Sequence, residues 1–101
     1  MSERTWENTY DLSDTQLEDL EEAETLMEKM DLSGAERVLL SMLEADSQCV
    51  PVLSNLGYLY GKHLSEFENA VEYYDRVLEI EPDNAWARDA RRRYSRYLNR
   101  D

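Results

Sequence analysis

The chain has 101 residues, 34% of them charged and 42% hydrophobic, which suffices for one small domain and is too little for a large cofactor-binding fold. A net charge of -12, from 23 acidic against 11 basic residues, repels phosphate backbones and argues against nucleic acid as a ligand of the body. Three Gly and two Pro supply little turn chemistry for a many-stranded sheet, whereas strong helix formers dominate and seven Tyr and two Trp provide surface to bury, so an all-α fold is expected.

The charge is lopsided. Residues 1–50 hold 14 Asp and Glu against three Lys and Arg, and residues 51–101 hold nine against eight; the stretch from Asn84 onward carries six Arg. The single Cys49 excludes an intrachain disulfide and fits a reducing compartment. The first residues, MSERTWENTYDLSD, lack the apolar core of a secretion signal, and no apolar run is long enough to span a membrane. A cytoplasmic protein without membrane contact is the expectation.

Residues 1–12 read as a flexible arm with two aromatics, Trp6 and Tyr10, spaced four apart. That pair either packs on the outside of the first or second helix or acts as an anchor for a partner. A single domain is expected over 13–101. Ser13 and Gln16 form a capping box with Leu12 and Leu17 as its hydrophobic staple, opening a first helix from about Asp14 to Lys29. Its apolar stripe is Leu17, Leu20, Ala23, Leu26, Met27 and Met30. Asp31 or Ser33 caps a second helix burying Ala35, Val38, Leu39, Met42 and Leu43.

Pro51 suits the first turn of a third helix, whose apolar side is Leu53, Leu56, Leu59 and Tyr60. A turn is expected at Gly61–Leu64, then a second capping box, Ser65 with Glu68, opening a fourth helix lined by Phe67, Ala70, Val71, Tyr74, Val77 and Leu78. Pro82 stops that helix, and Asp83 or Asn84 caps a fifth. There Trp86, Ala87, Ala90, Tyr94, Tyr97 and Leu98 are expected to cover the preceding hairpin, with the arginines on other faces.

Shifting the chain by 35 residues lays Ala35 on Ala70, Leu39 on Tyr74 and Leu43 on Leu78. A period in this range with two helices per unit means stacked helical hairpins. Over Leu53–Tyr60 the string LSNLGYLY, and over Phe67–Ala87 the residues Phe67, Ala70, Tyr74, Leu78, Pro82 and Asn84, resemble a tetratricopeptide repeat. One residue more than that family's pattern lies between Gly57 and Ala70. The resemblance implies two stacked antiparallel hairpins, repeats at about 16–49 and 50–84, and a capping helix over 85–99.

Catalytic chemistry has little to stand on. His63, the single histidine, sits in a turn without metal-ligand spacing, and Cys49 has no base beside it. No glycine-rich phosphate loop is present. The carboxylates Glu18, Asp19, Glu21, Glu22, Glu24 and Glu28 fan around a helix and read as a solvated acidic face that can also dock a basic partner. Arg91, Arg92, Arg93 and Arg96 read as a capping face whose charge complements that body.

The expected function is therefore non-enzymatic, with no cofactor and no metal: a protein-protein interaction module holding a basic or mixed-charge segment of a partner protein in a concave groove. In the family resembled, the first helix of each hairpin lines that groove. Carried over by position, this implies Leu20, Glu24 and Met27, then Ser54, Asn55, Tyr58 and Lys62, and finally Arg93 as partner-binding residues. Asn55 matches an asparagine that some members use to hold a peptide carboxylate, but the accompanying lysines are missing and Glu24 would repel such a group. The alternative is a homo-oligomer that joins an acidic N-terminal hairpin to a basic C-terminal helix.

Overall fold

The structure, a computed structural model, describes residues 10–98. Five α-helices and no strand occur among them: α1 (Asp14–Glu28), α2 (Leu32–Ala45), α3 (Val50–Tyr58), α4 (Phe67–Ile80) and α5 (Ala85–Leu98). Packing follows chain order, α1 on α2, α3 on α2 and α4, and α5 on α4, which leaves α1 and α5 as the two end layers. No helix among the described residues is long and apolar enough to cross a membrane.

Helix boundaries follow local chemistry. Ser13 Oγ accepts from the Gln16 backbone N–H at 3.1 Å while Gln16 Oε1 accepts from the Ser13 N–H at 2.9 Å, the reciprocal capping box. Asp31 Oδ1 caps α2 through the Gly34 N–H at 3.1 Å, and Asn84 Oδ1 caps α5 through the Ala87 N–H at 2.9 Å. Pro51 lies in the first turn of α3. The α4 start differs from expectation. Ser65 stands at φ 55° outside the helix, Glu66 takes the cap position without a side-chain bond to the backbone, and no Ser65–Glu68 box forms.

The 35-residue period is a period of backbone geometry. Both α2 and α4 are 14 residues long, Leu32 against Phe67 and Ala45 against Ile80. Each is preceded by a residue in the left-handed region, Met30 at φ 65° and Ser65 at φ 55°. Met30 closes α1 in a Schellman turn, with Asp31 N–H donating to Leu26 O at 2.8 Å and Met30 N–H to Met27 O at 3.0 Å. This takes Met30 off the helix stripe and leaves it 62% exposed, against the sequence expectation.

The additional residue between Gly57 and Ala70 is absorbed inside a helix rather than in a loop. Leu59–His63 continues α3 as one π-helical turn, and Leu64 N–H reaches back five residues to Leu59 O at 3.1 Å. Gly61 therefore lies within helical structure, and the expected turn is displaced to Leu64–Glu66. The bulge keeps Leu59 and Tyr60 buried together.

The core is apolar throughout. Ala23, Ala35, Leu39, Val52, Leu53, Leu56, Leu59, Ala70 and Val77 are fully buried, and among the described residues no polar or charged one is. Gly57 and Gly61 sit at the closest approaches: a Cβ on Gly57 would stand 2.6 Å from the Tyr74 ring, and one on Gly61 2.5 Å from the Tyr94 ring. Tyr94 in turn lies against Tyr74 and Phe67, with ring centroids 6.2 and 5.8 Å apart, and Tyr97 stacks on Phe67 at 4.2 Å. This aromatic column fixes α5 on α4. Arg91, ion-paired with Asp75, adds a surface tie between the same two helices.

Candidate functional site

Between α3 and α5 lies a cleft of about 520 Å³. Its α3 wall comes from Val50, Pro51, Ser54, Asn55 and Tyr58, one face of a helix whose other side is in the core. The α5 wall comes from Trp86, Asp89, Ala90 and Arg93, and Tyr74 and Tyr94 form the floor. Spacings of three and four residues along both helices put these side chains on facing sides. Tyr10 closes one end, where its hydroxyl donates to Glu81 Oε1 at 3.1 Å.

The polar groups of the cleft are few and of both signs. Arg93 and Asp89 bring opposite charges into one space. Asn55 spends its amide N–H on Pro51 O at 2.9 Å, so its carbonyl oxygen is left to accept. Tyr74 is 7% exposed; burial, and next the neighbouring Tyr94, raises its hydroxyl pKa to about 12. Burial followed by the bond to Glu81 also raises the Tyr10 pKa.

Three exposed aromatics surround this opening: Tyr10 at 41%, Tyr58 at 44% and Trp86 at 88%. Trp86 was expected to cover the preceding hairpin and does not. It lies in the first turn of α5, where side chains tilt toward the helix N-terminus, and α4 has already ended at Ile80, so nothing lies beneath the indole. Ala87, Ala90 and Tyr94 take the packing row instead.

Of the residues that sequence reasoning placed in a groove, the structure brings Ser54, Asn55, Tyr58 and Arg93 together. The others lie elsewhere. Leu20 and Met27 are buried at 8% and 6%, so they are core of the α1–α2 hairpin and offer no surface to a partner. Glu24 and Lys62 are exposed but do not line the cleft. No α1 residue does, because the cleft is formed where α5 faces α3. Tyr10, Asn84, Asp89 and Tyr74 are additions; the four-residue spacing of Asp89 to Arg93 is the signal that would have found one of them.

Other candidates resolve into structure. Cys49 is buried at 4% exposure, and burial raises its thiol pKa, which disfavours the nucleophilic thiolate. His63 is half-buried on the π turn, edge-on to Tyr58 at 5.5 Å. Trp6 lies outside the described residues, and the Tyr10 hydroxyl bonds to Glu81, the C-cap residue of α4. Among the described residues no group of three or more His, Cys, Asp or Glu side chains converges to hold a metal ion.

Residues 50–84 match the family model of the tetratricopeptide repeat. The matched segment runs from the first residue of α3 to the cap of α5 and so contains the α3 wall and Tyr74 of the floor. It also contains the hairpin in which Gly57 meets Tyr74. No curated protein matches the chain. A tetratricopeptide repeat suggests, in general, a protein-protein interaction module, and with it a protein partner.

Proposed function

We propose that the chain is a non-enzymatic adaptor of the cytoplasm whose α3–α5 cleft holds a short mixed-charge segment of a partner protein, with an apolar or aromatic side chain as anchor. The observation that carries this reading is the clustering of Tyr58, Trp86 and Tyr10 around one opening that also holds Arg93 and Asp89. Exposed aromatics on an otherwise charged surface supply contact area at low entropic cost, and charges of both signs set the register of the bound segment.

Asn55, Arg93 and the Tyr74 hydroxyl provide hydrogen bonds at the cleft floor and wall, and Ser54 completes the α3 side. Of the basic or mixed-charge segment expected from the sequence, this reading keeps the mixed-charge one, because α1 does not line this cleft. The test is crosslinking capture from the native lysate with three baits: the intact chain, Trp86→Ala with Tyr58→Ala, and Lys29→Ala as a surface control. A partner retained by the first and third baits and lost from the second supports the cleft. Equal capture by all three overturns it.

A further inference from the structure

The opposite flank of α5 carries a second surface that shares no residue with the cleft. Arg88, Arg91, Arg92 and Arg96, with Ser95 and the half-buried Leu78 of α4, line a shallow depression. Arg91 is held by Asp75 and Arg88 donates to Pro82 O at 3.2 Å. Arg92 and Arg96 have no ion-pair partner among the described residues. Arg88, Arg92 and Arg96 form an i, i+4, i+8 row, about 12 Å long at 1.5 Å per residue, and all three are exposed.

The same chain holds the complement of that row. Helix α1 has seven carboxylates and no base in 15 residues. Asp14, Glu18 and Glu22 form its own i, i+4, i+8 row, equally long, equally exposed, and without an ion pair among the described residues. Two such rows are inclined alike to their helix axes, so they can face each other across a helix crossing, and long arginine side chains absorb the remaining offset.

We infer that α5 of one copy docks on α1 of a second copy through these two rows, three arginines against three carboxylates. Within one molecule the rows lie on the two end layers, α1 and α5, so the contact is made between copies. The contact is heterologous: each added copy presents a fresh α1 and a fresh α5, and assembly is head-to-tail without a fixed stoichiometry. The net charge of -12 opposes association at long range. At about 0.15 M salt the Debye length is ~8 Å, so the facing rows interact while most of the remaining charge is screened. Exposed ion pairs are individually weak, which makes this a concentration-dependent association.

Sedimentation equilibrium of the full chain from micromolar to millimolar protein reads the outcome directly. The weight-average mass is expected to rise above the 11.9 kDa of one chain and to fall back when salt is raised to about 1 M. Arg92→Gln with Arg96→Gln removes the basic row, and Glu18→Gln with Glu22→Gln removes the acidic one. Each should lower the association constant ~10-fold or more with an unchanged helical circular dichroism spectrum. An equimolar mixture of the two variants should form dimers that grow no further, since only one intact row of each sign remains to pair. Trp86→Ala should associate like the unaltered chain, which separates this contact from the cleft. A mass that stays monomeric throughout, variants that associate as strongly as the unaltered chain, or a mixture that remains monomeric would overturn the inference.

Discussion

Tyr10 and Glu81, 71 positions apart, are joined by a hydrogen bond of 3.1 Å, and Asn84 donates to the same carboxylate oxygen at 2.9 Å. One carboxylate thus ties the residues before α1 to the corner between α4 and α5. The tie holds Tyr10 at the edge of the cleft.

Gly57→Ala should destabilise the fold by about 1–3 kcal/mol. The added Cβ would meet the Tyr74 ring at 2.6 Å, and that ring cannot swing aside because it is buried against Tyr94. Urea unfolding followed by circular dichroism measures the change; a loss below a few tenths would show that the hairpin can spread.

Met30→Gly should act in the opposite direction and stabilise the chain by ~0.5–1 kcal/mol. Met30 occupies the left-handed position of a Schellman turn at φ 65°, where a Cβ is penalised, and its side chain is 62% exposed and contributes little packing. A lowered thermal midpoint would contradict this account of the turn.

Trp86 and Tyr94, both on α5, should respond oppositely to alanine. Trp86→Ala leaves stability within about 0.5 kcal/mol, since the indole is 88% exposed, and weakens partner capture. Tyr94→Ala removes the centre of the aromatic column and should cost about 3–5 kcal/mol. Thermal melts of the two variants, with binding measured at a temperature where both are folded, distinguish the roles.

Alkali should weaken the fold before it unfolds it. Burial, and then Tyr94, raises the Tyr74 pKa to about 12; burial, and then the 2.6 Å bond to Glu36, raises that of Tyr60. The folded state therefore holds protons that the unfolded state releases near pH 10. Their stabilisation is complete below pH 10 and is lost as pH rises through the folded-state values. For Tyr74 the full loss is on the order of 3 kcal/mol, about two pH units at about 1.4 kcal/mol each. Melting midpoints from pH 8 to pH 12, beside tyrosinate absorbance, should fall over that window, and less steeply in Tyr60→Phe.

Much of the fold was legible in the sequence because its signals are local. Ser13 with Gln16, Asp31, Pro51 and Asn84 act on backbone groups within a turn of themselves; the structure uses the first pair and Pro51 where the sequence places them, and takes Asp31 over Ser33 and Asn84 over Asp83 as caps. The stripes of α2 and α3 and the 35-residue period depend on side-chain size and spacing alone, and they too are found as read. Ser65 with Glu68 has the same local pattern and fails. The chain enters α4 as it enters α2, through a residue in the left-handed region: Ser65 stands at φ 55°, Glu66 takes the cap position, and the hydroxyl is not at the helix start.

The candidate site divides in the same way. Ser54, Asn55, Tyr58 and Arg93 follow from helical spacing and repeat position, which a sequence carries in full. Leu20 and Met27 stand in the apolar stripe of α1, and the structure buries them there; that Trp86 stands free and that Tyr10 reaches Glu81 were decided by where one helix ends relative to another, a long-range property set by packing. Periodicity tells which side of a helix is apolar; only the tertiary structure decides whether another helix extends far enough to cover it.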